Sequence, residues 1–221
     1  MPIRAADMVR PFIVLIACLS LAAPPAAGAV EPRSDVWDFS VDLDGQPIGR
    51  HRFTVSASGE ARQVVSDASF QVRVLGFTAY RYRHEASERW RGDCLTSIAA
   101  RTDDNGTPSE VRLEPRSASA ALQVVDASPD RDACLMTFAY WNPAMRLQTR
   151  LLNAQTGKIE VVQVRRFSDD LLQVRGRAVA ATSYRISGVA QPIDVWYDAD
   201  GRWIGLDTIV AGGRRLTYRL P

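Results

Sequence analysis

The stretch YRYRHEASERW, residues 80–90, decides the fold of this chain. Every second residue from Tyr80 to Trp90 belongs to a face that is mostly aromatic but includes one histidine and one glutamate. The residues between them are mostly charged, so their face can only be solvated. Apolar residues do not recur at spacings of three and four, as a helix would require. The stretch therefore predicts a half-buried β-strand with one face towards the core.

The same period of two recurs along the chain. Three N-terminal stretches each have one largely apolar face: Trp37, Phe39, Val41 and Leu43; Gly49, His51, Phe53 and Val55; and Val64, Ala68, Phe70, Val72 and Val74. Short strand-like stretches also fill residues 158–220. Between these regions, residues 107–131 carry only short apolar pieces at Val111–Leu113 and Leu122–Val125. These patterns predict many short strands.

Turn signals separate the strands. They are Asp44-Gly45, Asn105-Gly106, Asp200-Gly201 and Gly212-Gly213. Asn-Gly supplies the positive φ that a tight hairpin turn requires. Many short strands without alternating long helices predict an all-β, mainly antiparallel fold. Because a sheet this wide must curl or close to hide its edges, we expect a curled meander sheet or an open, barrel-like half barrel.

One stretch departs from the strand pattern: CLMTFAYWNPAMRLQTRLLNAQTG, residues 134–157. Asn142 suits a helix N-cap and Pro143 suits the first helical position. We expect Tyr140–Leu152 to form one short helix or an ordered loop. It would cover part of the concave face of the sheet as a plug, and such a plug can also line a ligand pocket.

The N-terminus is typical of an export signal. Arg4 and Arg10 precede an apolar run over residues 12–23, and Ala27 and Ala29 fit an A-x-A cleavage site. We expect a signal peptide over residues 1–29 and a single β domain over residues 30–221, periplasmic or secreted. The apolar run is shorter than the roughly 20 residues of a membrane-spanning helix, so we expect no transmembrane segment in the mature chain.

Cys18 follows Leu15-Ile16-Ala17 and so fits a lipid-attachment signal as well. The apolar residues that continue past Cys18 and the later cleavage site favour ordinary export. The mature chain keeps Cys94 and Cys134, and an even pair in an oxidising compartment predicts a disulfide. The competing interpretation, a cysteine nucleophile, lacks any recognisable histidine partner motif.

Charge excludes one class of function. The formal net charge is +2, and the basic residues are interspersed with acids rather than clustered. We therefore expect no nucleic-acid binding.

Familiar catalytic and metal motifs are absent from the sequence. His84 and Glu85 begin an H-E-x-x pattern that lacks its second histidine, and His84 and Glu88 would lie roughly 13 Å apart on a strand. There is no G-x-S-x-G, no glycine-rich phosphate loop and no second inward acid to pair with Glu88. We predict no metal and no cofactor, and we favour a non-enzymatic protein.

The only two histidines, His51 and His84, both belong to apolar strand faces. Each alone is best explained as a hydrogen-bonded core histidine, but together they can point into one cavity. The candidate pocket residues are His51, Tyr80, Tyr82, His84, Glu88, Trp90, Tyr140, Trp141 and Asn142.

Several segments resemble the DUF6134 family, a family of exported bacterial proteins: LDGQPIGRHRFTV, YRYRHEASERW, RTDDNG, FAYWNP, LLNAQTG and WYDADGRWIGLDT to RLTYRL. More distantly, the strand order and the ending are similar to the DUF3108 family of periplasmic β proteins. The resemblance implies an open, barrel-like antiparallel sheet in the cell envelope. It implies no activity and no catalytic residues.

Three functions follow from these observations. The first is a binder of an apolar ligand, such as a lipid, or of a cell-envelope component on the concave face. The second is a structural or interaction protein that pairs through a sheet edge, which the C-terminal RLTYRLP stretch could provide. The third is a hydrolase-like enzyme that uses His51, His84 and Glu88.

Overall fold

The computed structural model describes residues 33–114 and 134–221. The predicted signal peptide, the lipid-attachment signal at Cys18 and the apolar piece Leu122–Val125 lie outside these residues. The strands are β1 (Arg33–Leu43), β2 (Gln46–Ser58), β3 (Ala61–Val74), β4 (Phe77–Arg91), β5 (Cys94–Asp104), β6 (Thr107–Leu113), β7 (Arg150–Leu152), β8 (Ile159–Val161), β9 (Gln163–Val174), β10 (Arg177–Ser187), β11 (Ile193–Tyr197), β12 (Trp203–Val210) and β13 (Arg214–Arg219). Two 3-10 helices span Pro143–Leu147 and Ala211–Gly213. In the two described ranges, no helix is both long enough and apolar enough to span a membrane.

Eleven strands form one antiparallel sheet. Their order is β6-β5-β4-β3-β2-β1-β13-β12-β11-β10-β9, so two meanders join where the first strand pairs with the last. The sheet does not close, and its edges are β6 and β9. The predicted all-β, antiparallel, barrel-like meander is confirmed.

The sequence suggested a free sheet edge at the C-terminal strand, and this expectation is wrong. Strand β13 pairs with β12 on one side and with β1 on the other. Both sides of its backbone are therefore already hydrogen-bonded, and it offers no edge to a partner.

Alternation along β4 is as the sequence predicts. Tyr82, His84, Ala86, Glu88 and Trp90 are buried, and the residues between them are exposed. One residue predicted to face the core does not do so: Val74 at the end of β3 is 55% exposed. The β3–β4 hairpin runs beyond its neighbouring strands there, so period two no longer places a residue against a core.

The turns follow the predicted chemistry. Asn105 and Gly106 have φ values of 51° and 88°, and Asp44 and Gly45 have values of 53° and 77°. Such paired positive angles match the twist of the flanking strands, which fixes the register of each hairpin.

A covering segment, residues 134–162, lies over the inner face. Asn142 caps its 3-10 helix by accepting a hydrogen bond from the Ala144 amide at 3.0 Å. The predicted helix start is therefore right, and the helix itself spans only Pro143–Leu147 of the expected helix or loop over Tyr140–Leu152. The chain is extended again at β7, which pairs with β8, because backbone bonds in this small hairpin and the burial of Leu151 and Leu152 replace further helical turns.

The covering segment reaches both ends of the curled sheet. On one side, the Ser109 hydroxyl of edge strand β6 donates to the Gln155 carbonyl at 2.8 Å. On the other, Gly188 just after β10 approaches so closely that an added Cβ would lie 2.2 Å from the Val161 carbonyl oxygen. Met136, Met145 and Leu151 of this segment are completely buried. The segment thus fills the gap that the open sheet leaves.

Candidate functional site on the inner face

A row of side chains crosses the inner face from β2 to β5. The strand register places His51 opposite Ala68, Ala68 opposite His84, and His84 opposite Thr102. The two histidines therefore share one face and one row, with a single small residue between them. Two strand spacings put their backbones roughly 10 Å apart. We call His51, Ala68, His84 and Thr102 the histidine row.

His51 is the unusual member of the row. Its ring stacks on Phe53 with centroids 4.0 Å apart, and its Nδ1 lies 3.4 Å from the Tyr218 hydroxyl. The Nε2 atom is buried and has no hydrogen-bond partner in the parts of the chain that the structure describes. Burial, and secondarily the charge of His84, lowers the His51 pKa to about 3. His51 is therefore neutral near pH 7.

His84 has a more ordinary environment. Its Nδ1 lies 2.8 Å from the Thr102 hydroxyl, and only 5% of the residue is exposed. Burial lowers the His84 pKa, and the carboxylate of Asp67 opposes this effect. This histidine fits the prediction of a hydrogen-bonded core residue.

Aromatic rings form the wall beside the row. Phe70 and Tyr82 stack with centroids 5.2 Å apart, and Tyr218 meets Phe70 edge-on at 6.2 Å. Burial raises the pKa of Tyr82 and Tyr218, and the proximity of Tyr140 contributes to both shifts. Both phenols therefore stay protonated and can donate hydrogen bonds. Sequence reasoning missed Tyr218, because its neighbours depend on the pairing of β13 with β1.

Glu88 belongs to a second group at the other end of β4. Its Oε2 accepts a hydrogen bond from Trp90 Nε1 at 2.9 Å and one from Thr137 at 3.4 Å. Burial raises the Glu88 pKa to about 7, against the opposing effect of these two bonds. The covering segment thus holds Glu88 away from the histidine row.

Trp90, Trp141 and Asn142 complete this second group. The two indoles meet edge-on at 5.4 Å, and the Asn142 side chain donates to Asp93 at 3.0 Å. The disulfide between Cys94 and Cys134 lies beside them and confirms the predicted pairing. The plug is therefore fixed at the Trp90 end of β4.

Tyr80 and Tyr140 occupy other positions. Tyr80 donates to Asp104 at 2.7 Å at the rim of the sheet. The Tyr140 ring packs 5.3 Å from Trp203, and its carbonyl accepts a bond from the Tyr197 hydroxyl. Tyr140 also contributes to the raised pKa values of Tyr82 and Tyr218. It therefore lies between the covering segment and the aromatic wall.

The structure also contains a buried carboxylate, Asp207, paired with two more exposed arginines, which the sequence did not reveal. Asp207 is 6% exposed and accepts from Trp196 Nε1 at 2.9 Å, with Arg219 at 2.6 Å and Arg215 at 3.3 Å. The two guanidinium groups compensate the charge of the buried carboxylate. Its burial therefore does not point to a bound ligand. Within residues 33–114 and 134–221, no group of three or more His, Cys, Asp or Glu side chains has a geometry that could hold a metal ion.

Two surface grooves are found in the described residues, and His51 lines neither of them. One, of about 470 Å³, runs beside β4, β5 and β6, and its charged lining residues are Arg83, Glu85, Arg101, Asp103 and Glu110. These residues alternate with the inner-face residues, so the groove is mainly an outer-face feature. Of the nine predicted pocket residues, only His84 borders it. The other groove, also about 470 Å³, lies beside Trp196 and Asp207.

The fold and the inner face define an antiparallel β protein with an open, barrel-like sheet. The chain belongs to the family described as domain of unknown function DUF6134, which matches residues 39–221. This confirms the family predicted from the sequence. No curated protein shows significant similarity to the chain. Among solved structures, it is similar to a beta-barrel-like protein of domain of unknown function DUF1849 from Brucella abortus. The two are 11% identical, the match covers 86% of this chain and 95% of that one, and the TM-score is 0.47.

Proposed function

We propose that this protein is an exported, non-enzymatic binding protein for an amphipathic ligand such as a lipid. The ligand would place an apolar body against the aromatic wall and one hydrogen-bonding group at His51. The observation that carries this proposal is the unpartnered, buried Nε2 of His51. Buried polar atoms in folded proteins nearly always have a partner, and a bound ligand is one way to provide it.

The surroundings of His51 fit such a ligand. Apolar walls with a few converging polar groups are typical of small-molecule sites, and here Tyr82 and Tyr218 supply the polar groups. A hydroxyl suits either tautomer of His51, because it can donate to a bare Nε2 or accept from a protonated one. Since neither groove reaches His51, ligand entry would require rotation of the rim side chains, of which half-buried Tyr80 is the outermost.

The geometry favours binding over catalysis. The enzyme hypothesis needs Glu88 beside the histidines, but Glu88 is bound to Trp90 and Thr137 under the covering segment. Burial also disfavours the charged form of both histidines. A binding role needs only their neutral forms.

Native mass spectrometry of the protein purified from the periplasm, followed by solvent extraction, tests the proposal. We expect an added mass that extracts as one lipid class. The variant His51→Phe keeps the ring but removes both nitrogens, and it should lose the added mass. Tyr184→Phe, which removes a polar atom from an aromatic residue beside Tyr197, is the matched control and should keep it. A bare protein mass in the unmodified protein, or equal loading of His51→Phe, would overturn the proposal.

A further inference from the structure

The β3–β4 hairpin projects beyond the rest of the sheet. Strand β2 pairs with β3 only as far as Phe70, and β5 pairs with β4 only as far as Tyr82. Residues 71–81 therefore form a two-stranded arm that pairs with no other strand, although Asn105 in the β5–β6 turn still hydrogen-bonds the Arg81 backbone. Val74 lies four residues beyond Phe70, roughly 13 Å along β3 from the last position that pairs with β2.

The tip of this arm is apolar and exposed. Val74 is 55% exposed, Leu75 is 94% exposed and Phe77 is 79% exposed. Burial against the protein itself therefore does not explain these three residues. Adjacent exposed apolar side chains at one projecting point are characteristic of a surface that meets another apolar phase.

The backbone conformation at the tip disfavours the leucine that occupies it. Four described residues other than glycine have positive φ: Asp44, Leu75, Asn105 and Arg175. Each of them precedes a glycine in a tight hairpin turn, and three are polar. This conformation disfavours leucine and favours asparagine. At this turn, the chain has an apolar residue that neither backbone preference nor packing requires.

The charges near the tip indicate the kind of surface that it meets. Arg73 is paired with Thr78 directly below the tip, and Arg81 lies at the base of the arm. Residues 71–81 include no Asp or Glu. Asp104 is opposite Tyr82, roughly 16 Å along the strand from Phe77, and it accepts the Tyr80 hydrogen bond. The charge on the arm itself is therefore only positive.

We propose that the arm, residues 71–81, inserts Val74, Leu75 and Phe77 into the surface of an anionic lipid bilayer. The apolar side chains would enter the boundary between headgroups and acyl chains, to a depth of roughly 5–10 Å. Arg73 and Arg81 would remain at the level of the anionic headgroups. A protein partner is the less suitable occupant, because a stable protein interface buries roughly 800 Å² on each side and this tip offers three side chains.

Vesicle co-sedimentation of the full chain tests this proposal. The vesicles are phosphatidylglycerol mixed with phosphatidylethanolamine, with pure phosphatidylcholine as the neutral comparison. We expect Leu75→Asn with Phe77→Ser to weaken binding to the anionic vesicles by about tenfold or more. Leu147→Asn with Leu171→Ser removes apolar side chains that are 83% and 65% exposed elsewhere, and binding should be unchanged. Because every preparation keeps the same N-terminus, the difference between variants reports on the arm.

Two further measurements test the role of the arginines and exclude unfolding as the cause of lost binding. Arg73→Gln with Arg81→Gln should weaken binding to the anionic vesicles and leave the weak binding to phosphatidylcholine unchanged. Leu75→Asn should not lower the urea midpoint, since asparagine suits the turn, so its loss of binding would not be caused by unfolding. Equal sedimentation of the tip variant and the unmodified protein would overturn the proposal. So would the absence of vesicle binding combined with chemical crosslinking of the tip to a protein.

Discussion

Two ionisable residues of the inner face, His51 and Glu88, give opposite pH dependences to its stability. His51 is neutral in the folded protein, so protonation of the unfolded chain below its usual pKa of 6.5 destabilises the fold. Glu88 is protonated more readily in the folded protein than in the unfolded chain, so its contribution has the other sign. Since the two effects overlap between about pH 4.5 and 6.5, the pH profile of the unmodified protein alone cannot separate them. Single substitutions separate the two contributions.

The variant Glu88→Gln is expected to remove one of these dependences. The Glu88 pKa is about 7 in the folded protein and 4.5 in the reference state. Between these values the folded state binds more protons, so stability falls as pH rises, by about 3 kcal/mol in total. Glutamine can still accept from Trp90 and Thr137 but does not ionise in this range. Relative to the unmodified protein, the variant should therefore gain about 2–3 kcal/mol between pH 5 and pH 8, most of the total.

Urea unfolding at the two pH values measures this gain. Glu85→Gln is the matched control, because Glu85 lies three residues away on the same strand and faces solvent. Its unfolding free energy should change equally at both pH values. If Glu88→Gln behaves in the same way as this control, the carboxylate is not buried as described.

Strand period predicts which face a residue occupies, but not which residues become its neighbours. The alternation in YRYRHEASERW correctly places His84 and Glu88 on the inner face. The row that joins His51 to His84 through Ala68 depends on the register of three strands, which no single strand's pattern contains. The unpartnered Nε2 of His51 is a consequence of that packing, and so it could not be predicted from the sequence.

At the scale of elements, the packing of β2 against β3 allows only glycine at position 49. Its φ is +155°, and an added Cβ would lie 1.9 Å from the Ser69 carbonyl oxygen on β3. Backbone atoms cannot move aside as a flexible side chain can. The glycine therefore allows β2 to approach β3 next to a bulge in β2, where Ile48 has no partner between the pairs Val41–Gly49 and Asp42–Pro47.

The variant Gly49→Ala should consequently lose stability by about 3 kcal/mol or more. Gly106→Ala is the matched control, since Gly106 also has positive φ but has open space around it. The control should lose only about 1 kcal/mol, from backbone conformation alone. Thermal or urea unfolding of both variants separates the clash from the conformational effect. Equal losses in the two variants would show that the close approach to Ser69 is absent.

Hairpins were more predictable than the covering segment for a physical reason. Asn105-Gly106 determines a turn locally, through the backbone angles that two residues prefer. Asn142 and Pro143 likewise mark where a helix begins. Where that helix ends depends on β7 pairing with β8 and on burial against the sheet, which are tertiary effects.

The whole molecule depends on one contact between its ends in sequence. The pairing of β1 with β13 joins two meanders into a single sheet, and the covering segment occupies the gap that remains. The pairing of β1 with β13 could not be predicted, because both strands have the same alternating pattern and either could have been an edge. It places Tyr218 beside His51, and it explains why the C-terminal strand is central. In the ligand proposal the entry route passes Tyr80, which lies in the same β3–β4 hairpin as the tip of the membrane proposal.

The disulfide is the covalent attachment of the covering segment to the sheet. Cys94 begins β5, Cys134 begins the covering segment, and 40 residues of sequence separate them. A crosslink over this length restricts the unfolded chain and is expected to stabilise the fold by about 4 kcal/mol. Because Trp90 and Trp141 pack beside it, loss of the bond should also loosen the indole contact. The double variant Cys94→Ala with Cys134→Ala should therefore show a lower unfolding free energy and altered tryptophan fluorescence, while its far-ultraviolet circular dichroism keeps the signal of the sheet.

Urea unfolding with and without a reductant measures the same quantity in the unmodified protein. Reduction should shift its midpoint towards that of the double variant and should leave the midpoint of the double variant itself unchanged. If reduction lowers both midpoints equally, the reductant acts elsewhere. If it lowers neither, Cys94 and Cys134 are not bonded, and the packing of Met136, Met145 and Leu151 holds the covering segment on the sheet without a crosslink.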